Sequence, residues 1–371
     1  MTDVYKLYGI THSLYTGRAR SYLIKNGISF RELSTGHESF KAEVLPKAKL
    51  PTIPTLLTPA GEVIRDGAAI IEHFEAANDR PNRPVGPCQQ IVSALFDVIG
   101  TDGLLRPAMH YRWNFKEENL AFVRYHFFHS QRETPTRDEK TEHMMGRMQH
   151  VARIWGVNDE TSSLVEALYL EYLAALNSHF EQTPYLLGGR PCIGDFGLLA
   201  PMYAHLGRDP YPGRIMQQRA TRVYRWVERM NRPDQDAPEY FNAEEGYFPD
   251  DQVPGSLLEV LSVIAEDFVP ETEAAAGVIN HWLAENKPDA GAAADRMLNE
   301  CEFTVRGQTI KSVSQPYRFF LLQRVQSAYE AMSSEDRAAV EAMLARCGMK
   351  SILTSKLSRM IEQSENLEVW V

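Results

Sequence analysis

The sequence predicts three parts: a small α/β domain, an all-helical domain and a mostly helical extension. Three observations support this class. Strand and helix patterns alternate up to residue 78, a stretch rich in proline and polar residues follows, and the chain beyond it has mainly helical periodicity. A length of 371 residues also exceeds what one small core usually needs, so two or three domains are expected.

The first part reads as strand, helix, strand, hairpin and helix. Val4–Tyr8 is a short apolar strand, and residues 15–23 place apolar side chains on one helix face. Residues 28–33 alternate like a strand, residues 55–65 form a hairpin, and a helix runs from Gly67 to about residue 78. This order is typical of a thioredoxin-type domain, with a parallel pair across the first crossover and an antiparallel pair at the hairpin.

The stretch 78–87 reads as a linker between domains. The predicted limits are 1–79 for the α/β domain, 89–232 for the helical domain and 233–371 for the extension. In the extension we expect helices near 256–268, 271–284, 316–332 and 335–347, and a small hairpin over 303–310.

Composition excludes several classes of function. A net charge of −10 argues against a nucleic-acid binder, and no apolar run approaches the roughly 18 residues that a membrane span needs. The chain starts without an apolar signal region. The four cysteines lie far apart and form no metal motif or disulfide framework, so we expect a cytoplasmic protein without a bound metal. They are Cys88, Cys192, Cys301 and Cys347.

A spaced motif runs from the first strand through the first helix. Its members are Leu7, Tyr8, Ser13, Thr16, Arg18, Ala19, Arg20, Leu23 and Gly27. In this order and spacing the motif resembles the N-terminal domain of the cytosolic glutathione transferases. The resemblance implies that a hydroxyl at the start of the helix contacts the sulfur of glutathione, which would be the co-substrate.

The chemistry of a thiol nucleophile explains this requirement. The thiolate is the reactive form, and a hydroxyl donor at the positive end of a helix favours it. Ser13 is the first choice for this donor. Tyr15 and Thr16 are close alternatives, because a shift of one turn would exchange them, and Tyr8 inside the strand is less favoured.

A proline at the start of the third strand carries the second part of the resemblance. Ile53-Pro54 is similar to the Val-Pro step of the family, whose cis bond exposes backbone groups that pair with the cysteinyl part of glutathione. Leu50-Pro51 is a competing assignment. Pro54 is favoured, because it lies 13 residues before Gly67 and Pro51 lies 16 before it.

An acid at a second helix start carries the third part. Asp66-Gly67-Ala68-Ala69-Ile70 resembles the family element that binds the γ-glutamyl end of glutathione. Gly67 stands where serine is usual, so one side-chain hydrogen bond, worth about 0.5–1.5 kcal/mol, is missing. The backbone N–H of Gly67 can still bind a carboxylate.

The helical domain adds two features. Residues 186–199 resemble the family's capping element, with Asp195 three residues after Cys192, so the resemblance covers roughly residues 1–232. An aromatic cluster in the first long helices could hold an apolar electrophile, with a histidine as acid or base or as a structural residue. Its candidate residues are Met109, His110, Tyr111 and Trp113.

These features predict a glutathione transferase-like enzyme that attacks a small apolar electrophile with the glutathione thiolate. The resemblance further implies a homodimer. The alternative is a non-catalytic binding or assembly module on the same fold. A thiol-disulfide reductase ranks low, because neither position 13 nor position 16 is a cysteine.

Overall fold

The structure is a computed structural model that describes residues 4–234 and 236–371. Its first part is a four-stranded mixed sheet in the order β2-β1-β3-β4. β1 is parallel to β2 and antiparallel to β3, and β3 is antiparallel to β4, which confirms both predicted strand pairings. The elements are β1 Tyr5–Gly9, α1 Leu14–Lys25, β2 Phe30–Ser34, a π-helical turn Phe40–Val44, α2 Leu45–Ala48, β3 Thr55–Leu57, β4 Val63–Arg65 and α3 Gly67–Ala77.

Buried apolar side chains form the core at the centre of this sheet. Leu7 of β1 and Leu56 of β3 are directly paired and have no exposed surface. They belong to one core cluster with Tyr22 of α1 and Ile70 of α3. The two helices therefore cover the sheet, and the thioredoxin-like fold class is confirmed.

A helical region follows, as expected. Its elements are α4 Pro87–Val98, a π-helical turn Ile99–Gly103, α5 Leu105–Asn114, α6 Lys116–Ser130, α7 Arg137–Ile154, α8 Ser162–His179, α9 Ile193–Ala204, α10 Pro210–Arg219 and α11 Thr221–Met230. The start of α9 is capped by Asp195, whose Oδ2 accepts a hydrogen bond from the Cys192 N–H at 2.9 Å. Its Oδ1 accepts from Trp226 Nε1 at 2.9 Å, which ties α9 to α11.

The extension contains α12 Gly255–Asn286, β5 Glu300–Val305, β6 Gln308–Val313, α13 Pro316–Glu330, α14 Ser334–Arg346, a 3-10 turn Lys350–Leu353, β7 Ile361–Ser364 and β8 Leu367–Trp370. The hairpin β5–β6 and helices α13 and α14 confirm the predictions for these segments. The prediction of two helices over 256–284 was wrong, because α12 is continuous through Pro270. Buried residues on both sides of the proline, Leu261 and Ile279 among them, hold the two halves in one helix.

The last hairpin, β7–β8, was not predicted. Its turn places Glu365 and Asn366 at φ 46° and 66°, a backbone conformation that asparagine tolerates better than most residues. The Glu-Asn pair is a weaker turn signal than Asn-Gly, so the sequence did not reveal this hairpin.

The extension packs against both earlier parts. Glu368 of β8 forms a two-oxygen ion pair with Arg65 of β4 at 2.6 and 2.7 Å, and the Arg65 side chain has no exposed surface. Arg318 of α13 pairs with Glu271 at 2.8 Å and contacts Asp102. The three parts therefore share buried contacts. The domain limits 1–79, 89–232 and 233–371 remain a proposal.

Candidate active site

Ser13 lies at the start of α1. It is the N-cap residue, and its Oγ accepts a hydrogen bond from the Thr16 N–H at 3.4 Å. The side-chain oxygen is the acceptor in this bond, so the hydroxyl hydrogen of Ser13 can be donated to another atom. A donor at the positive end of a 12-residue helix favours an anion beside it.

Thr16 has a different environment from Ser13. Its side chain is fully buried, and Oγ1 accepts a hydrogen bond from the Ile10 N–H at 3.4 Å. A Cβ atom on Gly9 would lie 2.3 Å from Thr16 Cγ2, so this side chain packs closely against the end of β1. The Thr16 hydroxyl therefore supports the turn after β1.

Tyr15 is half-buried one residue beyond the helix start. Burial, and secondly the negative charge of Asp102, raise the pKa of Tyr15 above its ordinary value. Its hydroxyl therefore stays protonated at neutral pH and can act as a hydrogen-bond donor. Ser13 and Tyr15 remain the two candidates for a thiolate contact.

Pro54 connects the second and third parts of the site. The Ile53-Pro54 peptide bond is cis, and Pro54 is buried while Ile53 is half-buried. The Pro54 carbonyl accepts a hydrogen bond from the Asp66 N–H at 3.0 Å. The start of β3 and the start of α3 are thus held side by side.

Asp66 caps α3. Its Oδ1 accepts a hydrogen bond from the Ala68 N–H at 2.8 Å, and its backbone has a φ of 88°. A Cβ atom on Gly67 would lie 3.5 Å from the Tyr15 carbonyl oxygen and 3.7 Å from Pro54 Cγ. The structure therefore brings the predicted residues Tyr15, Pro54, Asp66 and Gly67 together.

A residue of the extension joins this group. The Tyr317 hydroxyl donates a hydrogen bond to Asp66 Oδ2 at 2.7 Å, and Asp66 is only 9% exposed. Sequence reasoning missed Tyr317, because no local motif marks a contact across 251 residues.

The electrophile candidates lie on α5 and are all buried. Met109 and Trp113 pack in a cluster between α5, α6 and α7 that includes Phe127. Tyr111 instead contacts Tyr169, with ring centroids 4.9 Å apart. These side chains therefore point to different neighbours and do not form one wall.

His110 is held on both sides of its ring. Nε2 lies 2.9 Å from Glu166 Oε1, and Nδ1 lies 2.9 Å from Asn114 Nδ2. Burial lowers the pKa of His110, and the bond to Glu166 opposes that effect. Both ring nitrogens therefore have hydrogen-bond partners, which is typical of a structural histidine packed between helices.

The turn before Ser13 contacts the helical region through residues that the sequence did not reveal. The His12 ring packs against Phe127 with centroids 4.5 Å apart, and its carbonyl accepts a hydrogen bond from Arg112 at 3.1 Å. His126 Nδ1 lies 3.0 Å from Thr11 Oγ1. Burial, and secondly the Arg112 charge, lower the pKa of His12, so a neutral imidazole lies beside Ser13.

The fold and this arrangement define a thioredoxin-like domain with a polar site at two helix starts, followed by a helical region. Residues 7–82 match the family model described as glutathione S-transferase, N-terminal domain. The match covers this part of the chain alone, and it identifies residues 7–82 as a domain of the glutathione S-transferase N-terminal type.

Several solved structures are similar to the chain at low identity. A glutathione S-transferase from Xanthobacter autotrophicus Py2 has 18% identity and a TM-score of 0.36, over 61% of this chain and 91% of its own. The beta-etherase LigF from Sphingobium sp. strain SYK-6 has 15% identity and a TM-score of 0.42, over 62% and 95%.

The glutathione S-transferase CsGST63524 of Ceriporiopsis subvermispora, solved in complex with glutathione, has 15% identity and a TM-score of 0.42, over 61% and 96%. At these scores the likenesses carry no argument about this chain. No curated protein matches it.

Two structural findings concern only the described residues, 4–234 and 236–371. Their side chains form no group of three or more His, Cys, Asp or Glu residues suited to a metal ion. None of their helices is both long and apolar enough to cross a membrane.

Proposed function

We propose that the chain binds glutathione at this site and conjugates its thiolate to an apolar electrophile. The observation that carries the proposal is the junction of the two helix starts. Asp66 is bonded through its backbone to Pro54, and Gly67 lies against Tyr15, the second residue of α1. This junction supports a single site in which Asp66 accepts the ammonium group and a hydroxyl of the α1 start donates to the thiolate.

The thiolate would form at the start of α1. The Ser13 hydroxyl donates a hydrogen bond to the sulfur, and the helix start adds a partial positive charge. Both effects favour the ionised sulfur, whose proton goes to solvent. The thiolate then attacks the electrophilic carbon, and the C–S bond forms as a leaving group, such as the halide of an aryl halide, departs with its electron pair. Tyr15 is the alternative donor.

The other end of glutathione would lie against α3. The Asp66 carboxylate accepts the γ-glutamyl ammonium group, and the Gly67 N–H binds the adjoining carboxylate. Each carboxylate oxygen has two lone pairs, so Asp66 can still accept a hydrogen bond beside those from Ala68 and Tyr317. The cysteinyl backbone pairs with the chain at Ile53, before Pro54.

The apolar electrophile would bind between the turn at His12 and α6. The apolar cluster of Met109 and Trp113 reaches this turn through Phe127, which supports an apolar electrophile. Tyr111 and His110 lie on other faces of α5, so we assign them to packing within the helical region.

Calorimetric titration of the folded chain with glutathione tests the proposal. We expect saturable binding at or below millimolar ligand, and a loss of binding in Asp66→Asn. A thiol-conjugation assay with a reactive aryl halide then tests catalysis.

A non-catalytic binding module is the second candidate. The glycine at position 67 and the Tyr317 contact on Asp66 favour it, because both reduce the polar groups free to hold a ligand. This candidate predicts that the conjugation assay stays at its background rate in the unchanged chain and in Ser13→Ala alike.

Two further expectations stay with the proposal. We infer a cytoplasmic homodimer without a nucleic-acid or membrane partner, from the family resemblance, the net charge of −10 and four free cysteines. Sedimentation velocity tests the dimer, and fractionation of cells tests the location.

A further inference from the structure

An arginine of the extension lies at the edge of the proposed glutathione site. The Arg296 guanidinium lies over the Tyr317 ring, 5.9 Å from its centroid, and the residue is exposed. Among the described residues no carboxylate lies within ion-pair distance of Arg296. A positive charge is therefore held beside the site without an acid to neutralise it.

The loop that carries Arg296 is fixed on both sides. The Ala294 N–H donates a hydrogen bond to the Glu368 carbonyl at 2.8 Å, and the Leu298 N–H donates to the Ser314 carbonyl at 2.9 Å. Glu368 in turn holds Arg65, the residue before Asp66. The backbone at Arg296 is thus connected to the start of α3 through a short series of buried contacts.

The Tyr317 side chain contacts both Arg296 and Asp66. One face of its ring contacts the guanidinium, and its hydroxyl donates to Asp66 Oδ2 at 2.7 Å. The positive charge of Arg296 also acts on Tyr15, where it opposes the rise in pKa caused by burial. Asp66 and Arg296 therefore both contact the Tyr317 side chain, and the charges of both act on the pKa of Tyr15.

An α-amino acid end group carries an ammonium and a carboxylate on the same carbon. A site for such a group needs a carboxylate for the ammonium and a cation for the carboxylate, separated by about the size of the group. Guanidinium binds a carboxylate with two parallel hydrogen bonds. Asp66 is the acid. Gly67 supplies no side-chain hydroxyl for the carboxylate, so a second donor has to come from elsewhere.

We propose that Arg296 binds the α-carboxylate of the γ-glutamyl group, while Asp66 binds its ammonium. This inference rests on the proposed function. It assigns part of the ligand site to the extension, and it makes a free α-amino acid end group the feature by which the site selects its thiol peptide.

The test is calorimetric titration of the full chain and its Arg296→Ala variant with glutathione and with γ-glutamylcysteine. We expect Arg296→Ala to weaken both ligands by a similar factor of about ten, because both contain the γ-glutamyl end. Arg296→Lys should recover part of the affinity, since it keeps the charge and loses the planar donor pair.

Arg214→Ala is the matched control. Arg214 is also an exposed arginine over a tyrosine ring, 5.5 Å from the Tyr211 centroid, and it lies on α10. This variant should bind both ligands within twofold of the unchanged chain. Thermal unfolding of the two alanine variants should agree, since both side chains are at the surface.

Two results would overturn the inference while the proposed function stands. In the first, Arg296→Ala binds glutathione as tightly as Arg214→Ala does. In the second, it weakens glutathione alone and leaves γ-glutamylcysteine unchanged, which would place Arg296 at the glycyl carboxylate. A folded unchanged chain that binds neither ligand overturns the proposed function, and the inference with it.

Discussion

The Tyr317 hydroxyl donates a 2.7 Å hydrogen bond to Asp66 Oδ2, although the two residues are 251 positions apart. Asp66 starts α3 in the thioredoxin-like domain, and Tyr317 lies in the first turn of α13 in the extension. The extension therefore contacts the acid that the sequence motif assigns to ligand binding. This contact makes the extension a part of the proposed site.

Gly67→Ser should tighten glutathione binding. The atoms nearest a Cβ at this position lie 3.5–3.8 Å away, which is ordinary contact distance, so the side chain fits. The added hydroxyl supplies a hydrogen bond worth about 0.5–1.5 kcal/mol, or roughly a twofold to tenfold gain in affinity. Calorimetry measures the gain. Gly67→Ala fills the same space without a hydroxyl, and an equal gain in that variant would refute the explanation.

Ser13→Ala should slow conjugation by about tenfold to a hundredfold. A hydrogen bond to a charged atom contributes about 1.5–3 kcal/mol, and this variant removes the one proposed for the thiolate. The rate is measured with saturating glutathione and a reactive aryl halide. Tyr15→Phe is the comparison, since it removes the rival hydroxyl. A normal rate in Ser13→Ala with a reduced rate in Tyr15→Phe would move the role to Tyr15.

Glu368→Gln should destabilise the chain by about 3–5 kcal/mol, because it leaves the Arg65 charge buried without its partner. Urea unfolding measures the change. Glu365→Gln, in the turn of the same hairpin, removes an exposed ion pair with Lys49 and should leave the unfolding midpoint unchanged. Equal effects of the two variants would show that the buried pair has no special role.

His179 should make the chain less stable in mild acid. Burial of the ring lowers the pKa of this histidine to about 4, against an unfolded value of about 6.5, and its hydrogen bond to the Leu186 carbonyl opposes that effect. The contribution of neutral His179 to the free energy of unfolding is fully present above pH 6.5. It is lost as the pH falls towards 4, by about 1.4 kcal/mol per pH unit.

Urea unfolding of the unchanged chain and of His179→Gln, between pH 7 and pH 5, measures this dependence. The variant should show a shallower slope over that range. His12 and His205 also have lowered pKa values, so some dependence remains in both proteins. Identical slopes would contradict the assignment to His179.

The amino-terminal fold was predictable because its signals are local. The apolar strand at Val4–Tyr8, the helix stop at Gly27 and the hairpin before Asp66 each depend on neighbouring residues, and the structure has the corresponding elements. The sequence prediction divided α12 into two helices at Pro270. The helix is continuous, because packing on both sides of the proline outweighs its local cost.

The site was predictable only in part. The order of Ser13, Pro54 and Asp66 follows a family motif, so the sequence indicates them as a group. Tyr317 contacts Asp66, and Arg296 lies over Tyr317, through the packing of the extension, which no local pattern encodes. The directions of the side chains on α5 also depend on packing, which explains why the aromatic cluster divides among several neighbours.

Calorimetric titration of the folded full-length chain with glutathione tests the central claim most directly. The account predicts saturable binding with one ligand per chain at or below millimolar concentration, abolished in Asp66→Asn. No heat of binding at millimolar glutathione, from a chain with a normal thermal unfolding transition, would contradict it.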